Sequence, residues 1–188
     1  MPSSTAPYYA EQIRGIELRL LTRPGVFSAK GLDAGTRLLL EHLDMAGATS
    51  VADVGCGAGP IGIAVAKLAP GAHVHLLDEH LRAVDVARDN VRLNGVRNAE
   101  VFLSDLYSAV GATQYSHVLT NAPARLGNEF LAELVHVSLA HLAPGGAFWL
   151  VVVTNIRPVI ERLLIGAGAE PVVVARGRQH VVLRAQRC

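Results

Sequence analysis

Four polar side chains close short apolar runs in this chain: Asp53, Asp78, Asp105 and Asn121. Each follows a stretch such as VHLLD or HVLTN that reads as a buried strand, so each is expected at a strand's carboxyl end. The first runs straight into Gly55, Gly57 and Gly59 and then Pro60. Glycines let the backbone turn sharply and approach a ligand, and proline suits the first turn of a helix. Position 60, where the dinucleotide fingerprint G-x-G-x-x-G needs its third glycine, holds proline, which argues against a nicotinamide cofactor. A carboxylate beside such a loop is badly placed for a pyrophosphate but suits a cationic ligand that carries an amino acid. S-adenosylmethionine fits that description. Taken alone, the loop is equally well read as a tight strand-to-helix turn.

The other strand ends supply complementary chemistry. Asp78 follows Asp53 by 25 positions, the usual place for a carboxylate that takes both hydroxyls of a ribose. Asp105 with Leu106 is expected to hold the adenine amino group and ring, the alternative being a simple turn former. Asn121-Ala122-Pro123-Ala124 bears on the reaction. Methyl transfer to an exocyclic amine needs a nitrogen lone pair freed from conjugation and aimed at the methyl carbon. The Asn121 side-chain oxygen and the following backbone carbonyl are expected to accept both N–H hydrogens and to favour the positive charge that develops. On this reading Asn121→Asp, which keeps acceptors, should be milder than Asn121→Ala. The bland alternative is that Asn-x-Pro is only a turn between strand and helix.

The elements that must position these groups follow from the alternation of apolar runs. Strands are expected at 51–54, 73–77, 100–103, 117–120 and 147–153, with helices near 60–69, 79–93, 127–142 and 156–167. Strand-helix alternation gives a parallel sheet covered on both faces by right-handed crossovers, and its ligand crevice lies beyond the strands' carboxyl ends. Runs at 171–175 and 180–183, separated by an Arg-Gly-Arg segment, read as a final hairpin that adds one antiparallel strand. Upstream, 16–21 alternates as a half-buried strand, residues 1–12 are expected to be poorly ordered up to Tyr8 and Tyr9, and Asp33 caps a helix carrying Leu38 to Leu40 and Leu43. The whole forms an α/β fold, a three-layer α/β/α sandwich around a mixed seven-stranded sheet. We expect one domain over 1–188, with 1–50 a lead-in strand and helix and 51–188 the cofactor-binding core.

Composition narrows the function classes. At 188 residues and 51% hydrophobic, the chain can bury a sizeable core. Seventeen basic and sixteen acidic residues leave a net charge of +1, so any contact with RNA must come from a local patch. Candidates for such a rim are Lys30, Arg37, Arg125 and Arg157. No apolar run reaches the roughly 20 residues of a membrane span and no signal sequence is visible, so a cytoplasmic protein without a membrane partner is expected. Cys56 and Cys188 lack metal-ligand spacing and the eight histidines are scattered, so no metal is expected.

Three ordered segments then point to a family. PGVFSAKGLDAGTRLLLEHL (24–43), VADVGCGAGPIGIAVA (51–66) and NAPARLG (121–127) resemble the small-domain class I methyltransferases that modify guanine N2 in ribosomal RNA of the small subunit, and their single-domain relatives. The resemblance covers nearly the whole chain. It implies a Rossmann-like fold and S-adenosylmethionine held by Asp53, Gly55, Cys56, Gly57, Asp78, Asp105 and Leu106, with Asn121 also touching the cofactor. It further implies that Asn121, Ala122 and Pro123 hold the target amine, and that the loop 27–33, led by Phe27, covers the methionine end. The family tetrapeptide is usually Asn-Pro-Pro followed by an aromatic or aliphatic residue. Here Ala122 replaces the first proline, and Ala124 offers no surface for stacking a base. The implied activity is methylation of a base amine in rRNA. The alternatives are a small-metabolite methyltransferase and a non-catalytic S-adenosylmethionine-binding relative.

Overall fold

A seven-stranded sheet with two helical layers carries the groups expected at strand ends. The computed structural model describes residues 8–21, 31–123 and 127–187. A hairpin of β1 (Tyr8–Ile13) and β2 (Ile16–Leu21) leads to α1 (Ala34–His42). There follow β3 (Ser50–Val54), α2 (Pro60–Leu68), β4 (His73–Asp78), α3 (Leu81–Leu93), β5 (Ala99–Leu103), β6 (Tyr115–Asn121) and α4 (Gly127–Ala140). The chain continues with β7 (Leu142–Val153), a 3-10 turn (Thr154–Ile156), α5 (Arg157–Gly166), β8 (Ala169–Arg176) and β9 (His180–Arg187).

The strand order is β5-β4-β3-β6-β7-β9-β8. Strands β3 to β7 pair in parallel, whereas β9 lies antiparallel between β7 and β8. The final hairpin therefore contributes the one antiparallel strand expected of it. The chain runs outward from β3 through β4 to β5 and then returns to β6 on the other side. The order thus reverses between β3 and β6, where an open sheet leaves a crevice at its carboxyl edge.

Side-chain parity makes the layers. On β7, Trp149 and Val151 join the core under α1 and α2, while Phe148, Leu150 and Val152 join the core under α4 and α5. The same alternation splits β3, with Val51 in the first core and Ala52 and Val54 in the second. Both faces are covered, so these strands are apolar throughout rather than one-sided. Asn90 on α3, fully buried, ties three parts together: its Nδ2 donates to the Ala58 carbonyl (2.9 Å) and its Oδ1 accepts from Leu21 N–H (2.7 Å). The glycine loop is thereby pinned to α3 and to the β1–β2 hairpin. No described helix is long and apolar enough to cross a membrane.

Two departures from the sequence expectation have a local cause. Residues 8–13, given no element from the sequence, form β1 and pair with β2 through a turn at Arg14 and Gly15. Both turn residues have left-handed φ (+49° and +80°), the twist-matched hairpin geometry usually signalled by Asn-Gly and hidden here by arginine. Strand β7 begins at Leu142 rather than 147, because Leu142 pairs with Tyr115 before an irregularity restores register at Ala147 opposite His117.

Candidate active site

The loop after β3 is held by main-chain bonds to the neighbouring strand. Gly55 N–H and Cys56 N–H both donate to the Leu77 carbonyl at 2.9 and 3.0 Å. Gly57 is left-handed (φ +56°), and a Cβ there would meet nothing within 4 Å, so backbone conformation and not packing demands glycine. At Gly59 (φ +82°) packing adds a second demand, since a Cβ would lie 2.8 Å from Leu76 Cδ2 on β4. Asp78, at the end of β4, reaches back across the turn. Its Oδ2 accepts from Gly57 N–H (2.8 Å) and its Oδ1 from His80 N–H (2.9 Å). A carboxylate has about four lone-pair positions, so acceptor capacity remains on the cavity side.

Asp53 stands elsewhere. It shares the parity of Val51 and so points under α2, where its Oδ2 accepts from Gly62 N–H at 2.7 Å. It does not line the cavity, and its Oδ1 has no hydrogen-bond partner among the described residues. Burial pushes its carboxyl up to about 7 against the lowering effect of the Gly62 bond, and the nearby charge of Asp78 adds to the rise. The structure thus turns the expected direct ligand into a brace beneath the loop. Cys56 does line the cavity, but burial, reinforced by Asp53 and Asp78, raises its thiol well above the usual range. It is a small apolar wall and not a thiolate nucleophile.

The loop opens on a cavity of about 680 Å³, within the range of cofactor sites. Gly55, Cys56 and Gly57 form one wall with Asp78, and Asp105 and Leu106 the next. Leu106 has φ +45°, an uncommon conformation for a branched residue that turns the chain after β5 toward the cavity. Asn121, Ala122 and Pro123 close the third side. The fold therefore gathers all the proposed site residues except Asp53, which is set behind the loop, and Phe27, which lies outside the described residues. Of the suggested basic rim, Lys30 and Arg125 also lie outside them. Arg37 is paired with Glu11 (2.5 Å) and Arg157 with Glu161 (2.8 Å), so neither charge is unshared.

Asn121 is held by a network that sequence reasoning did not find. Its Nδ2 donates to Thr36 Oγ1 at 3.0 Å and faces the Asp33 carboxylate at 3.2 and 3.4 Å. Asp33 also caps α1, its Oδ1 accepting from Gly35 and Thr36 N–H. An amide oxygen facing that carboxylate would be repelled, so Oδ1 must take the opposite side, where no described residue donates to it. Ala122 N–H is bonded to the Val151 carbonyl (3.0 Å), and no described group donates to the Ala122 carbonyl. Two acceptors that no described residue uses thus stand together at the end of β6. Thr36, Phe130 and His180 also line the cavity. Thr36 lay within the segment that resembles the methyltransferases; Phe130 and His180 had no local signal, because their roles depend on where α4 and β9 pack.

These features fit S-adenosylmethionine on the structure's own terms. The glycine turn leaves open space beside Gly55 and Gly57, Asp78 offers carboxylate acceptors at the cavity wall, and Asp53 braces the loop from beneath through Gly62 N–H. Among the described residues no cluster of three metal-ligating side chains occurs.

Comparison with known proteins points the same way. An uncharacterized Bacillus subtilis protein, YbxB, is 34% identical over 143 residues, which are 75% of this chain and 71% of that protein. The ribosomal RNA small subunit methyltransferase C of Serratia proteamaculans is 34% identical over 179 residues, 91% of this chain and 51% of that enzyme. That of Sodalis glossinidius is 36% identical over 164 residues, 85% of this chain and 46% of that enzyme. The chain thus spans about half the length of these enzymes. Among solved structures, the T. thermophilus 16S rRNA N2 methyltransferase RsmC, in complex with AdoMet and guanosine, superposes with a TM-score of 0.83 and 26% identity over 97% of this chain and 50% of that one. Residues 17–184 match the methyltransferase small domain family, and the chain belongs to it.

Proposed function

We propose that this chain is an S-adenosylmethionine-dependent methyltransferase that acts on the exocyclic N2 amine of guanine in small-subunit ribosomal RNA in the cytoplasm. The observation that carries the reading is the pair of acceptors, Asn121 Oδ1 and the Ala122 carbonyl, that no described residue uses, beside the glycine loop at the switch point of the sheet. The relatives named as small-subunit rRNA methyltransferases, and the RsmC structure with AdoMet and guanosine, favour guanine as the base.

When bound, S-adenosylmethionine supplies a methyl group on a positively charged sulfur. The chain's own residues do the rest by positioning. Gly55 to Gly57 and Asp78 hold the nucleoside end, and Asp105 and Leu106 flank the adenine. Asn121 Oδ1 and the Ala122 carbonyl each accept one N–H of the incoming amine, which draws its lone pair out of the base's π-system and toward the cavity. Both acceptors strengthen as the nitrogen becomes cationic, and they are preorganised: Asp33 and Thr36 fix the amide, and Val151 fixes the Ala122 peptide. Phe130 offers the apolar face that Ala124 cannot, so the base can be stacked from α4.

The test is labelled-methyl transfer from S-adenosylmethionine to ribosomal RNA, naked and in small-subunit particles, taken from a strain lacking the protein, with mass mapping of the product. N2-methylguanine at one position, lost in Asn121→Ala, is the expected result. Cofactor binding without transfer to either RNA form would overturn the assignment.

A further inference from the structure

We propose that the tip of the β8–β9 hairpin, Arg176 and Arg178, is a phosphate clamp that seats the RNA strand carrying the target base at the mouth of the cavity. The inference rests on the RNA reading above and supplies the basic surface which that reading needs, since a net charge of +1 gives no general attraction to a polyanion.

The tip is rigidly placed at the catalytic edge. Gly177 N–H donates to the His180 carbonyl at 2.8 Å, closing the turn, and Thr154 N–H donates to the Gln179 carbonyl at 2.9 Å, fastening it to the end of β7. His180, the first residue of β9, pairs with Val153, and both side chains line the cavity. The turn also abuts α1. A Cβ on Gly177 would lie 3.2 Å from Leu38 Cδ2, and one on Gly35 would lie 2.9 Å from His180 Cδ2. Gly35 and Leu38 flank Thr36, which holds Asn121, so the hairpin tip and the amine-holding group share one helix as their support.

The charges on this tip are available. Arg176 and Arg178 are exposed, and neither has an ion-pair partner among the described residues. The hairpin's acid, Glu170, pairs with Gln186 at the far end of β8, about 20 Å away at some 3.3 Å per residue. By contrast Arg37 and Arg157, which also flank the site, are committed to Glu11 and Glu161. Arg178 is two residues from His180, so its α-carbon lies within about 7 Å of that residue's and its long side chain is within reach of the cavity rim. A guanidinium fork matches phosphate oxygens bidentately, and two of them on a fixed turn fit successive backbone phosphates beside a base turned into the cavity. Phosphate contacts of this kind set register and carry no sequence information.

The experiment compares R176Q/R178Q with the parent protein and with Arg97→Gln, an exposed arginine beside the amino end of β5 at the opposite edge. Binding to ribosomal RNA is measured by fluorescence anisotropy between 50 and 300 mM salt, together with S-adenosylmethionine affinity and steady-state methyl transfer. Each lost phosphate contact lowers the log–log salt slope by about 0.7 on single-stranded RNA and 0.9 on duplex, so the double variant should lose about 1.4 to 1.8. Its KM for RNA should rise at least tenfold, with kcat and cofactor affinity unchanged, and Arg97→Gln should match the parent. A double variant with the parent's slope and KM overturns the clamp while leaving the RNA reading standing. A parent protein whose RNA binding has no salt dependence overturns the RNA reading itself, and the clamp with it.

Discussion

The Asp33–Asn121 contact makes a reciprocal swap the sharpest test of the site. From the sequence, Asn121→Asp should be milder than alanine because it keeps two acceptors. The structure adds a cost to that variant, since one of those oxygens would face the Asp33 carboxylate at about the present 3.2 Å. Two unit charges at that separation repel by about 5 kcal/mol at an effective dielectric near 20, and by about 1 kcal/mol if water screens them fully. Both groups are only partly buried, so the penalty falls between these limits, about tenfold to several thousandfold in rate at 1.36 kcal/mol per tenfold. The pair can relieve it by taking up one proton, which restores a donor between them. Asn121→Asp should therefore gain activity as pH falls from 8 to 6, while Asn121→Ala stays about 100- to 1000-fold down in kcat across that range. Asp33→Asn in the Asn121→Asp background exchanges the two groups. Asparagine still caps α1 and its amide again donates across the gap, so the double variant should exceed Asn121→Asp by at least tenfold at pH 8. Single-turnover methyl transfer at saturating cofactor is the assay, with cofactor affinity as a control that should not move. An Asn121→Asp variant with a flat pH profile, or a swap no better than that single variant, would refute the argument that Asp33 orients the amide.

Three further outcomes follow from the same geometry. Asp78→Asn keeps one acceptor for Gly57 or His80 but removes the carboxylate, and should weaken S-adenosylmethionine by about 1–3 kcal/mol in calorimetry; an unchanged affinity would remove Asp78 from the site. Phe130→Ala should raise KM for RNA by the worth of one stacked base, about 1–3 kcal/mol, and leave cofactor affinity alone; a change confined to the cofactor would place this ring against adenine instead. Asp53, raised by burial from the usual range near 4 to about 7, binds a proton more tightly folded than unfolded. Its contribution to stability is thus fully present below about pH 4 and lost as pH rises through about 7. Urea unfolding at pH 5 and 8 should show this loss in the parent and not in Asp53→Asn, and equal pH slopes in the two proteins would count against a buried, proton-holding Asp53.

Much of the frame was legible because strand-helix alternation and the glycine turn are local features. The β3 turn, the order of strand ends and the final hairpin need only apolar runs and breakers to be seen. What stayed hidden depended on which helix covers which face. Parity alone assigns Asp53 to the side of Val51, and Asn121 to the side of Leu119, both in the core beneath α1 to α3. Asp53 pairs with Leu119 and so lies two residues short of the level of Asn121, where it is aimed under α2 and away from the crevice, so a carboxylate next to a glycine loop need not be a ligand. The partner of Asn121 could not be named from parity, because Asp33 is 88 residues away and meets it only through the docking of α1 over β7 and β9. That docking also explains how the chain tolerates alanine where the family usually has proline. Proline at 122 would stiffen the turn through its ring, but it would also remove the N–H that here bonds Val151. With alanine, that bond, the Asp33–Thr36 clamp on Asn121 and the burial of Ala122 hold these two residues from three sides, so rigidity comes from hydrogen bonds to neighbouring elements in place of a restricted dihedral.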